Sequence, residues 1–146
     1  MTSLAVQVKT HKRFLAAVTI LWIFLLLLVT QAGSAETVIS KLSEQGFYRV
    51  AYNSKLDPIA LNKIHSWVLH VETAAGEPVT DAEIGVSGGM PKHNHGLPTV
   101  PRVTQYLGDG NYLVEGMKFQ MGGRWVITFS VAAEGENDSV SFEFSL

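Results

Sequence analysis

Hydrophobic and polar positions along this chain follow two different patterns. Residues 14–29 form an unbroken apolar run of sixteen in which Thr19 is the only polar member. From Gly46 onwards the apolar positions alternate with polar ones, and turn residues interrupt them about every eight to twelve positions. In residues 64–72, Trp67, Leu69 and Val71 alternate with Ser66, Val68 and His70, the period of a half-buried strand. The same reasoning predicts strands over 47–52, 83–87, 102–107, 112–115, 125–132 and 139–144, the last with Val140, Phe142 and Phe144 on one face.

Breakers separate these strands. Gly76-Glu77-Pro78 predicts a turn, Gly108-Asp109-Gly110-Asn111 a tight hairpin, and Gly135-Glu136-Asn137-Asp138 another turn. Glu134, Glu136 and Asp138 then read as solvated turn acids. Residues 90–101 read as irregular and hold three of the five prolines. Residues 36–45 read as a short polar lead-in, a helical turn without a strong period. Six or seven short strands in about 100 residues predict an all-β, immunoglobulin-like two-sheet sandwich, with a small barrel as the competing architecture.

The apolar run changes the picture of where the chain works. Lys9, His11, Lys12 and Arg13 precede it, and the small residues Ala32, Gly33, Ser34 and Ala35 follow it. Basic region, apolar helix and small-x-small exit make a secretory signal peptide, with cleavage expected after Ala35. The rival is a retained anchor, since a spanning helix needs about 20 residues and manages with roughly 17. Either way, residues 1–35 are a signal peptide or membrane anchor, and residues 36–146 are one domain in the periplasm or another extracytoplasmic space. Membrane contact is then limited to residues 14–29, if they stay attached.

Composition narrows the function. The exported part has eight basic against thirteen acidic residues, a formal charge of −5. That excludes a basic nucleic-acid face and a surface drawn to anionic lipid. No cysteine is present. The domain must stand on its apolar core, and any soft metal site must use methionine and histidine.

One stretch departs from a plain sandwich: Met90-Pro91-Lys92-His93-Asn94-His95-Gly96-Leu97-Pro98. In an extended loop, His93 and His95 point to the same side. A second stretch, Met117-Lys118-Phe119-Gln120-Met121, puts Met117 and Met121 on one face if it is a strand. Two imidazoles with Met90, Met117 and Met121 make a donor set suited to copper, because thioethers select Cu(I) and imidazole accepts Cu(I) or Cu(II). The competing reading makes the methionines core filler and the histidines a solvated turn. His65 and His70 differ in parity and read as structural histidines at a sheet surface. No paired carboxylates, activated nucleophile or cofactor loop points to an enzyme.

Residues 90–131 resemble the YtkA-like domain family, small exported or membrane-anchored bacterial β-sandwich domains. The resemblance rests on Met-Pro-x-His-x-His-Gly at 90–96, Pro98, Gly110 and Tyr112, and Gly116-Met117-x-Phe119-x-Met121-x-Gly123-x-Trp125, with Asp138-x-Val140 beyond. Gly122 stands where the family usually has proline, which implies a looser local turn. The resemblance implies an immunoglobulin-like fold and no established enzyme activity. Some relatives are similar to periplasmic copper proteins linked to oxidase assembly. It would carry Met90, His93, His95, Met117 and Met121 over as ligands.

The expected function is a copper-binding or copper-handling accessory domain that passes metal to a membrane or periplasmic protein. A non-catalytic interaction domain with residues 90–101 as a rigid recognition loop is the alternative.

Overall fold

The computed structural model describes residues 39–146, so the expected signal peptide or anchor lies outside the described residues. Nine strands form in chain order: β1 (Ile39–Leu42), β2 (Tyr48–Ser54), β3 (His65–Thr73), β4 (Glu83–Met90), β5 (His95–Gly96), β6 (Arg102–Gly108), β7 (Asn111–Met117), β8 (Arg124–Ala133) and β9 (Glu136–Ser145). They make two antiparallel sheets, ordered β1-β2-β3-β7-β6 and β5-β4-β8-β9. This is the expected all-β sandwich.

Alternation explains the core. Trp67, Leu69 and Val71 of β3 face Trp125, Ile127, Phe129 and Val131 of β8, and all are essentially unexposed. Val140 and Phe142 of β9 join them. Aromatic packing knits the layers: Tyr52 of β2 meets Phe142 of β9 edge-on with ring centres 4.9 Å apart, and Phe119 meets Trp125 edge-on at 5.0 Å. Such pairs add about 0.5–1.5 kcal/mol each beyond their buried area.

Two elements differ from the sequence expectation. The lead-in is not a helical turn, because residues 39–42 form an edge strand paired with β2. All four of its side chains are exposed, so no alternation marks it. Strand β4 runs on through Gly88 and Gly89 to Met90, and the two-residue β5 folds back on its end.

The register divides the sandwich into two ends. The links 43–47, 74–82, 109–110 and 134–135 lie at one, the turn end, and 55–64, 91–101 and 118–123 lie at the other, the loop end. At the turn end, Asp138 is not a solvated turn acid. It sits within β9, is 6% exposed, and accepts hydrogen bonds from the backbone N–H of Gln45 at 3.0 Å, Phe47 at 3.3 Å and Ser139 at 2.7 Å. Burial pushes its pKa up, but hydrogen bonding to the ionised form outweighs burial and holds the group below the usual carboxylate range. The nearby Ser43 hydroxyl donates to the Tyr48 carbonyl at 3.0 Å, so the backbone N–H groups are the donors that hold the charge. Two tyrosines close the same end. The Tyr48 hydroxyl donates to the Ala133 carbonyl at 2.6 Å and the Tyr112 hydroxyl to that of Val79 at 2.7 Å.

Candidate soft-metal site at the loop end

Met90 ends β4 with 2% exposure, and its cross-strand partner is His95. Between them the chain is not extended as the sequence reading had it. The His93 N–H donates to the Met90 carbonyl at 3.0 Å in a tight turn, and Asn94 takes a left-handed φ of 53°. The turn still brings the imidazoles together: the rings of His93 and His95 are nearly parallel with centres 6.4 Å apart, and both residues are exposed. One metal bonded to both at about 2.0 Å per nitrogen would hold the ring centres roughly 6 Å apart. A cleft of about 450 Å3 opens beside His95 and Met90, walled by Ser87, Asn94, Val126 and Thr128.

The second segment also differs from expectation, since Met117 and Met121 do not share a strand face. A bulge interrupts the pairing of β3 with β7, so that His65 opposes Met117 while Trp67 opposes Val114. Gly116 takes the positive φ of 87° that such a bulge favours, and Met117 is thereby turned inward with no exposure. The strand ends there. Phe119 is again fully buried, and the chain then bends, leaving Met121 38% exposed. The indole N–H of Trp125 donates to the Met121 carbonyl at 3.0 Å, which fixes the bend against the core.

Two contacts hold the segments side by side. The Gln120 amide donates to the Gly96 carbonyl at 3.2 Å, linking the chain neighbours of Met121 and His95. Gly123, at φ 120°, leaves the space in which the Met90 terminal methyl sits, because a Cβ there would lie 2.8 Å from it. Gly123 and Leu146 pair through backbone bonds of 2.8 and 3.1 Å, steadying the turn at Gly122, where proline is usual. All five residues singled out in the sequence therefore lie at the loop end. His93, His95 and Met121 are at its surface, and Met90 and Met117 are beneath it.

The sequence reading missed His65. It is 9% exposed and packs among Phe119 and Trp67 with ring centres 5.7 and 6.4 Å away, not at a sheet surface. Its signal was present, because His65 shares the inward parity of Trp67, Leu69 and Val71. Only His70 sits at the sheet surface, beside Glu72 and Asn111.

The sequence profile of the YtkA-like family matches residues 48–130, more than half of the chain. The chain belongs to the YtkA-like family. No curated protein matches it. Among solved structures, this YtkA-like domain is similar to a DUF4426 family protein from Pseudomonas aeruginosa PAO1, with 19% identity, 73% of this chain and 94% of that one covered, and a TM-score of 0.52. At that identity the likeness concerns the fold. A ZirS C-terminal domain is similar at 16% identity over 75% of this chain and 73% of that one, with a TM-score of 0.39.

The donor chemistry of the YtkA-like domain fits a soft ion. Among the described residues, no group of three or more histidine, aspartate or glutamate side chains is placed to hold a metal. What the loop end offers instead is imidazole with thioether, the pairing that favours Cu(I) over harder cations.

Proposed function

We propose that this protein is an exported, non-catalytic copper-binding accessory domain that holds Cu(I) at the loop end and passes it to a membrane or periplasmic acceptor. The leader pattern of residues 1–35 supports export, either by cleavage or as an anchor. One observation carries the metal reading: two imidazoles stand 6.4 Å apart on a segment that the Gln120-to-Gly96 hydrogen bond ties to another bearing an exposed methionine. His93 and His95 are the primary ligands. Met121 supplies a thioether from the surface, and Met90 backs His95 across the strand pair.

Exposure suits transfer, since an acceptor reaches a surface ion without unfolding the carrier. Imidazole and thioether both bind soft metal without carrying charge, so neither donor adds an ionic group to the site. The test is anaerobic competition against a Cu(I) chelator. His93→Ala with His95→Ala loses one bound Cu(I) per chain, and Met121→Leu weakens Cu(I) more than Cu(II). Equal binding by wild type and the double histidine variant contradicts the proposal and leaves residues 90–101 as a recognition loop.

A further inference from the structure

We propose a second soft-metal site inside the sandwich, in which His65 Nε2 and the Met117 thioether hold one Cu(I) beneath the surface. Among the described residues, three buried side-chain atoms have no hydrogen-bond partner: His65 Nε2, Trp67 Nε1 and Gln120 Oε1. All three belong to the loop end, and the rings of His65 and Trp67 pack about Phe119. An unpaired buried polar atom costs about 1–3 kcal/mol, so each invites a functional explanation.

His65 has the most specific one. Its Nδ1 lies 3.1 Å from the Lys63 carbonyl, which can only accept, so Nδ1 carries the proton. That leaves Nε2 as a buried lone pair with no protein partner, the form of imidazole that ligates metals. A carbonyl bonded to the other ring nitrogen in this way also fixes the tautomer and orients the ring.

Met117 is the direct cross-strand partner of His65, and the Gly116 bulge turns its side chain to the same inner face. The two donors therefore sit on opposed residues of adjacent strands, whose Cβ atoms are about 4.5–5.5 Å apart in such pairs. Around them stand the rings of Phe119 and Trp67. Aromatic faces attract a desolvated cation, and a monovalent soft ion has the least charge to strip of water. Dicationic metals are disfavoured by that desolvation cost and by the soft thioether donor. The link preceding His65 is exposed from residue 60 to 64, with Ile64 at 69%, so local opening of that segment admits the ion.

This site does not depend on His93 or His95. The experiment is anaerobic titration of the full-length chain in detergent with Cu(I), followed by long-range proton–nitrogen correlation of the imidazoles and by the methionine methyl signals. Before metal, His65 shows the Nδ1–H tautomer. With Cu(I), its Nε2 resonance and the Met117 methyl shift together, and wild type binds one ion more than Met117→Leu or His65→Gln. The Met117→Leu exchange conserves volume and keeps the core packed. Shifts at His93 and His95 alone overturn the buried site and leave the surface site standing. Shifts at His65 and Met117 alone do the reverse. A tautomer with Nε2 protonated, or no shift at His65 at saturating Cu(I), shows that its nitrogen has another role, such as bonding an internal water.

Discussion

The two ends of this sandwich are built by opposite rules. At the turn end two of the links are two-residue turns, and the polar groups that enter the interior are paired: Asp138 accepts three backbone N–H groups, and Tyr48 and Tyr112 each reach a carbonyl. At the loop end the links are long, three buried polar atoms have no partner, and every methionine of the described residues is there with three of their four histidines. The fold thus pairs its polar atoms at one end and leaves some of them bare at the other. Departures from local consistency collect where function is carried. Exposed loops held on a rigid sheet are also the usual place for binding residues.

Substitutions can break or sharpen this contrast. The largest effect belongs to the core shared by both ends. Trp125 is fully buried, packs edge-on against Phe119 and anchors the Met121 carbonyl. Trp125→Ala should cost about 3–5 kcal/mol in denaturant unfolding. A change below about 1 kcal/mol contradicts the packing described.

Next comes the turn end. Asp138→Asn replaces an acceptor of three N–H groups by an amide that turns a donor toward them, at a cost of about 2 kcal/mol. Its pH signature is specific. Because the folded carboxylate titrates below its unfolded value, its stabilisation is complete above that value, about 3.9 for aspartate, and is lost as the pH falls through it toward the folded pKa. Wild type should lose stability relative to the variant as the pH is lowered below about 5. Parallel stability–pH curves for the two proteins would show that Asp138 is not held as an ion.

The loop end should respond differently. Gln120→Ala removes one hydrogen bond to Gly96 but also an unpaired buried oxygen, so its stability cost stays under about 1 kcal/mol. Cu(I) affinity should nevertheless fall, because the two ligand segments are no longer tied. A stability loss as large as that of Asp138→Asn erases the distinction between the ends.

Much of this architecture was legible in the sequence, and the omissions have physical causes. Strands β3, β8 and β9 are marked by inward aromatic and aliphatic residues at period two, and the hairpin between β6 and β7 by its turn residues. Strand β1 carried no such mark, since an edge strand with four exposed side chains has no buried face to pattern. Asp138 looked like a turn acid because its partners Gln45 and Phe47 are 93 and 91 residues away. The two His/Met segments were visible as motifs, but their geometry was not. A bulge at Gly116 and a turn at Asn94 replaced the extended chain on which the simple parity argument rested.

The smallest expected stability effect carries the central claim. His93 and His95 are exposed, so replacing both by alanine should alter stability by no more than about 0.5 kcal/mol. The decisive measurement is anaerobic Cu(I) competition titration of the full-length chain, wild type against His93→Ala with His95→Ala. The account predicts an intact fold that binds one Cu(I) fewer per chain. Unchanged stoichiometry and affinity in the double variant would contradict it.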